Sequence, residues 1–418
     1  MDRKQPLPEN PFFTGTDIPD AYFCDREQET EKMISHIRNG SHIVLKSPRR
    51  IGKSSLIKHV FRQKEISGRM NTLFVDIYGT KTAADFQTEF QNSLLRAPFA
   101  KGTRLKIEFE SLLKGAYLDL GSLNTVTGQY QLPKVGFAPS MMPRIPLPEL
   151  FAFLENTDNP NLVVFDEFQQ IEEYPERMAA ILRSFVQQAT RTCFVFSGSS
   201  RHLLTTMFQS SNQPFYKSAV PMDLDILSLG AYVDFCRSMF GLGGRAVDGD
   251  AVAFVYHLFS GETYLLQETM KETYTRTFPG GLADKETVLA AIGEMLSRKD
   301  TDYREIMNRL GNKKERNTLF CIASEGIASG MTSSSMLKKY DLDNASSVQN
   351  ALVNLGEGKL NLIDRIAKGT YVIQDRLFEL WIAWKSGYLP GKYQYARERF
   401  DRQREIVQRI PGMNNSAH

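Results

Sequence analysis

Two hydrophobic rhythms alternate along the first half of the chain. Short, continuous apolar runs recur at 42–45, 73–78, 161–165 and 192–197. The last two are apolar without a break over 162–165 and 193–196, the pattern of strands buried on both faces. Between the runs, apolar residues fall at helical spacing. One helix is expected from an N-cap at Asp25 with Gln28 completing a capping box, through Met33, Ile34 and Ile37, to a stop at Asn39-Gly40. A second carries Leu56, Ile57, Val60 and Phe61, and a third covers 83–95. Strand, loop, helix, strand at this spacing is a βαβ unit and implies a parallel sheet.

The pattern then changes twice. From 101 to 148 it loosens into β-like pieces at 123–129 and 132–137 followed by MMPRIPLP, which reads as a surface insertion. After Asp223 no further buried strand is expected, and helices are predicted over 231–240, 251–258, 264–275 and 285–296. A break at 311–314 leads to helices at 317–325, 333–340 and 346–355 and a β-like wing ending at 370–373, the winged-helix order. The expected fold class is α/β: a parallel-sheet core over 1–225 (insertion 101–148), a helical lid over 226–310, a winged-helix domain over 311–390 and a polar tail over 391–418. Residues 1–20 read as an extended lead-in.

Length agrees with several domains, since 418 residues exceed one ordinary core. A net charge of +3 points to neither a nucleic-acid partner nor an acidic one. Cys24, Cys193, Cys236 and Cys321 are far apart, which argues against a zinc site or disulfide framework and fits a reducing compartment. With no apolar leader or membrane-length run, the expected location is the cytoplasm.

The chemistry concentrates at three strand ends. Ser47-Pro48-Arg49-Arg50-Ile51-Gly52-Lys53-Ser54-Ser55 follows a strand and opens a helix, as a Walker A loop does. Such a loop turns backbone N–H groups and a helix N-terminus toward phosphates. Lys53 is expected to reach the β- and γ-phosphates of ATP, and Ser54 to ligate Mg²⁺. Ser47 stands where the pattern places Gly. Leu162-Val163-Val164-Phe165-Asp166-Glu167 is an apolar strand ending in two carboxylates, the Walker B arrangement. Asp166 is the second expected Mg²⁺ ligand, and Glu167 the base for the attacking water. Phe194-Val195-Phe196-Ser197-Gly198-Ser199 ends in small hydroxyl residues. Ser199, with Ser197 close behind, is the candidate polar group at the γ-phosphate; an ordinary Ser/Gly turn is the rival reading.

Together these residues resemble the archaeal-type AAA-like ATPases, also widespread in Bacteroidetes-type bacteria and related to the STAND signalling NTPases. The resemblance rests on NPFF, Tyr22-Phe23-Cys24-Asp25-Arg26-Glu27, SPRRIGKSSL, Val164-Phe165-Asp166-Glu167-Phe168-Gln169, GSSRHLL, QPFYKSA and YVIQDRLFELWIAW, and spans roughly 10–384. It implies ATP binding, a core–lid–winged-helix layout, and tolerance of Ser47 in the loop. It also implies that the segment before the first helix covers the base, so Tyr22, Phe23 and Arg26 are candidates; an equal alternative is that these aromatics staple the chain to the core. Two departures stand out. Thr263 replaces the Pro of the family's Gly-x-Pro-Tyr-like lid pattern, and the finger candidates after the third strand end are Arg201 and Lys217, Lys being the poorer partner for phosphate oxygens. Arg49 and Arg50 read either as phosphate-side groups or as solvated charges.

A winged helix suggests DNA, yet the helix expected to enter a groove, 344–355, contains no Lys or Arg. Lys338, Lys339, Lys359, Arg365 and Lys368 surround it. The favoured reading is an ATPase whose turnover resets a conformation read by protein partners or by self-association. The alternative is ATP-gated DNA binding. The tail's arginines, interleaved with Glu398, Asp401 and Glu405, read as a solvated helix face.

Overall fold

The computed structural model describes residues 9–97, 144–356 and 360–385, together with 398, 399, 401, 402 and 405. The β-like pieces at 123–129 and 132–137, Lys359 and most of the 391–418 tail lie outside the described residues. The chain divides into two compact units. One combines Gln28–Ser47 with Ile57–Leu224; the other combines Met1–Glu27, Pro48–Leu56 and Asp225–His418.

The first unit holds the sheet. Its elements run α1 (Glu27–Arg38), β1 (Ile43–Lys46), α2 (Lys53–Arg62), β2 (Asn71–Asp76), α3 (Ala83–Arg96), α4 (Leu147–Glu155), β3 (Asn161–Asp166), α5 (Met178–Gln188), β4 (Thr192–Gly198), α6 (Arg201–Gln209) and β5 (Val220–Asp223). The first residue of α1 and the first turn of α2 are assigned to the second unit. The five strands lie in the order β2-β3-β4-β1-β5, and every neighbouring pair is parallel. β3 and β4 are buried at every position, which is why their centres read as unbroken apolar runs. β5 was not expected. It contains Pro221 and alternates in burial, both tolerable because among the described residues it pairs only with β1, at the sheet edge.

The core of this unit is a phenylalanine lattice. Phe165, Phe168, Phe194, Phe196, Phe208 and Phe215 pack with centroids 4.5–6.4 Å apart. Emptying one such site, as in Phe196→Ala, costs roughly 3–5 kcal/mol. α3 begins with a complete capping box between Thr82 and Asp85. α1 instead begins at Glu27, two residues beyond the expected cap. Asp25 and Arg26 adopt φ of 54° and 84°, and the Asp25 carboxylate accepts the Arg26 N–H at 2.8 Å. A left-handed pair cannot extend a helix, so the capping box predicted from Asp25 and Gln28 does not form.

The second unit carries α7 (Leu229–Leu242), β6 (Ala246–Val247), α8 (Gly249–Leu258), α9 (Thr263–Arg276), β7 (Leu282–Ala283), α10 (Lys285–Arg309), α11 (Lys313–Glu325), β8 (Ala328–Ser329), α12 (Ser334–Tyr340), α13 (Ala345–Leu355), β9 (Ile363–Ala367), β10 (Thr370–Ile373) and α14 (Arg376–Lys385). β8, β10 and β9 form a small sheet in which β10 runs antiparallel to both neighbours, so β9 and β10 make the wing. α10 continues thirteen residues past its expected end at 296. The polar stretch stays helical because Asp300 pairs with Arg304 at 2.7 Å and accepts the Trp381 indole N–H at 2.8 Å. Tyr303 is meanwhile buried against Phe378 and Trp381. The expected break at 311–314 is a cap: Asn312 accepts the Glu315 N–H at 2.9 Å, and α11 starts at Lys313 rather than 317. One hydrophobic cluster joins the helices of both halves of this unit to Phe12 of the lead-in, which packs on Phe240 and Tyr274. Among the described residues no helix is long and apolar enough to cross a membrane.

Candidate functional site

In the sheet unit, the register of β3 on β4 sets Phe165 opposite Phe196, so the residues that follow, Asp166 and Ser197, also face each other. Ser197 Oγ donates to Asp166 Oδ1 at 2.7 Å, and the Glu167 N–H reaches the same oxygen at 3.0 Å. Asp166 is buried. Glu167 turns sharply, with φ 56° and ψ 43°, into a 3₁₀ turn over Phe168–Glu173. Its Oε2 accepts Ser199 Oγ at 2.7 Å, Ser199 N at 3.2 Å and Gln169 Nε2 at 2.6 Å. Each carboxylate at the end of β3 is thus held by a hydroxyl from the end of β4. β1 lies on the other side of β4, with Lys46 opposite Gly198, and the Ser47 N–H donates to the Gly198 carbonyl at 3.3 Å. The loop that follows Ser47 therefore leaves β1 at the carboxyl edge of the sheet, where open parallel sheets bind ligands. Lys46 is buried and pairs with Asp223 at 3.4 Å.

In the second unit the loop itself alternates in hand. Arg50 has φ 61° and Gly52 φ 94°, with Ile51 buried between them. Such alternation turns successive N–H groups to one side and makes an anion cradle. Gly52 supplies a backbone angle that a side chain would strain. The Leu56 N–H closes the first turn of α2 on the Gly52 carbonyl at 2.9 Å. The amides of Lys53, Ser54 and Ser55 belong to that first turn, the end of a helix that suits an anion. Lys53 is only 7 % exposed.

The two arginines of the loop, open to two readings in the sequence, reach carboxylates of their own unit. Arg49 lies 3.9 Å from Asp364 in β9. The Arg50 guanidinium lies 3.6 Å from both Glu262, before α9, and Asp375, before α14. The Arg50 carbonyl accepts the Tyr264 N–H at 3.0 Å, and Thr263 Oγ1 donates to the Ile51 carbonyl at 3.3 Å. The Gly-Glu-Thr-Tyr segment thus grips the P-loop backbone. Glu262 and Asp375 had no sequence signal, because each looks like any acid preceding a helix.

The remaining candidates have definite places. Tyr22 is buried beside Phe13, with ring centroids 5.1 Å apart, inside the hydrophobic cluster of the second unit. Phe23 is half-buried, and Arg26 is buried with its guanidinium bonded to the Asp225 carbonyl. Arg201 opens α6 and donates to the Leu224 carbonyl at 2.9 Å. Lys217 is exposed and lies over the Tyr216 ring.

The family described as "Probable winged helix domain" matches residues 301–384. No protein of curated function matches the sequence. Among solved structures, a Walker-type ATPase of Pyrococcus abyssi is similar at 17 % identity and a TM-score of 0.57, over 89 % of this chain and 99 % of that one. The Aeropyrum pernix ORC1 protein in complex with DNA gives 13 % identity and 0.49, over 90 % and 97 %. The ORC2 protein of the same organism, in ADPNP–ADP complexes, gives 13 % and 0.48, over 91 % and 94 %. Identities this low speak of fold alone. The parallel five-stranded sheet, the helical region and the matched C-terminal segment give this chain an α/β fold with a P-loop core and a C-terminal winged helix.

Proposed function

We propose that the chain binds ATP with Mg²⁺ and hydrolyses the β–γ phosphoanhydride, and that the lid and winged helix read the nucleotide state. The observation that carries this reading is the end of β3, where Asp166 and Glu167 are fixed separately by Ser197 and Ser199. Two adjacent carboxylates held by different hydroxyls can take different roles. Asp166, a buried hard-oxygen donor, suits Mg²⁺ together with the Ser54 hydroxyl. That ion would neutralise charge on the phosphates when bound. Glu167 takes a proton from water as the water oxygen bonds to the γ-phosphorus. The bond from that phosphorus to the bridging oxygen breaks, and ADP leaves with the oxygen. Lys53 and the loop amides hold the phosphates. Ser199 serves the γ-phosphate side through Glu167, whose carboxylate its hydroxyl proton holds, and Arg201, which donates to the Leu224 carbonyl, is the second polar group proposed there. Tyr22, Phe23 and Arg26 remain the proposed base-side segment.

The switch half of the proposal is supported by Arg49 and Arg50, which tie the P-loop to Asp364, Glu262 and Asp375. The test of the binding half is direct. Lys53→Ala removes the charge partner of a desolvated phosphate, and ATP binding measured by calorimetry should be lost. Unchanged affinity in that variant defeats the P-loop reading.

A further inference from the structure

We propose that Gln169 is a positioning residue for Glu167, and that residue 198 is glycine so that the Gln169 amide can reach it. The inference rests on the assignment of Glu167 as the base. The left-handed turn at Glu167 starts the 3₁₀ segment Phe168–Glu173, closed by the Gln170 N–H on the Glu167 carbonyl at 2.9 Å. That turn folds Gln169 back over its neighbour, and Gln169 Nε2 donates to Glu167 Oε2 at 2.6 Å. A carboxylate only accepts, so the hydrogen bond fixes which end of the amide points at it. Gln169 Oε1 must then point away, and it is buried without a hydrogen-bond partner.

Gly198 explains how the amide fits there. A Cβ at 198 would lie 2.0 Å from Gln169 Oε1 and 3.2 Å from its Cδ. The glycine at the end of β4 therefore provides the space that the amide oxygen occupies. Leaving a buried carbonyl oxygen unpaired is destabilising, and an apolar side chain of similar size would avoid it. What the chain gains is a third donor on one oxygen of Glu167. With Ser199 N, Ser199 Oγ and Gln169 Nε2 all on Oε2, the carboxylate cannot rotate, and Oε1 is left in one direction. Fixed orientation is worth most for a group that must take a proton from a water at one place.

The experiment uses the full chain and measures steady-state ATP hydrolysis, ATP binding and thermal unfolding. Gln169→Met keeps the volume but removes both the donor and the unpaired oxygen. It should melt no lower than wild type, bind ATP with unchanged affinity, and lose kcat by roughly 10- to 100-fold. Gly198→Ala keeps the amide but takes its space, and should lower kcat similarly. The double variant should lose no more than the worse single one, since both act through the same contact. If Gly198→Ala does not fold, Gln169→Met decides alone. The inference is overturned if Gln169→Met keeps kcat within two-fold of wild type, raises it, or loses ATP affinity instead. Glu167→Gln separates the two levels. If it abolishes turnover while Gln169→Met does not, only the positioning role fails. Wild-type turnover in Glu167→Gln, or none in the wild-type chain, removes the assignment of Glu167 and this inference with it.

Discussion

Glu262 is the residue whose surroundings conflict most with its charge. Its carboxyl precedes α9 and faces Arg50, Arg376 and Asp375. Burial pushes it up to about 7, because Arg50 approaches only to 3.6 Å and is itself 41 % exposed. The unfolded chain ionises near the ordinary value of 4.5, so the folded protein holds the extra proton between about 4.5 and 7. Stability from the neutral carboxyl is full below 4.5 and is lost as pH rises through 7, by roughly 3 kcal/mol in all. Glu262→Gln removes this dependence. The melting point of the variant minus that of wild type should become more positive from pH 5 to pH 8, and a pH-independent difference would show that burial does not govern the group. None of this is visible in Gly-Glu-Thr-Tyr as sequence. The places of Lys53 and Ser54 at the start of a helix and of Asp166 and Glu167 at the end of a strand were legible, because each follows from the periodic elements that flank it. Gln169 and Gly198 were not, because their meaning is a 2.0 Å clearance between two chain segments.

Among the elements, those whose signal is periodic burial read well. β3, β4, α3 and α8 fall within a few residues of their expected bounds. Elements stabilised by partners far along the chain read poorly, as the second half of α10 and the edge strand β5 show. The winged helix follows the same logic in its charges. Lys313 pairs with Asp341 at 2.7 Å, Lys314 with Asp343 at 2.7 Å, and Lys339 with Glu325 at 2.8 Å. α13, the helix that would enter a groove, has no basic residue. Cations already engaged by carboxylates have little left for phosphates. Filter binding of duplex DNA at physiological salt should therefore show little retention, with or without ATP. Any low-salt retention should fall, with a flatter salt dependence, when Lys338 and Lys339 are both changed to Glu. Tight binding at physiological salt would make the winged helix a DNA reader.

At the scale of the chain, the P-loop segment Pro48–Leu56 belongs to the same compact unit as the helical region after Asp225 and the winged helix. That grouping has a chemical basis in Arg50, whose carbonyl takes the Tyr264 N–H while its guanidinium lies between Glu262 and Asp375. Asp375 also accepts the Tyr303 hydroxyl at 3.1 Å and the Leu377 N–H at 2.9 Å, so a pull on it is felt by α10 and α14 together. Deleting everything after Asn312 would be a poor probe of this link. Tyr303 of α10 packs on Phe378 and Trp381 of α14, and truncation would expose that core. Arg50→Ala is the sharper change, since it leaves Lys53 and the loop backbone in place. If Arg50 serves the lid and winged helix, ATP affinity should fall by no more than about ten-fold, within the usual 1–3 kcal/mol of coupling between sites. The ATP-dependent change in amide hydrogen exchange across α9 and α14 should then disappear. Loss of binding as complete as in Lys53→Ala would make Arg50 a phosphate ligand, and an undiminished exchange response would mean that nucleotide state reaches the winged helix by another route.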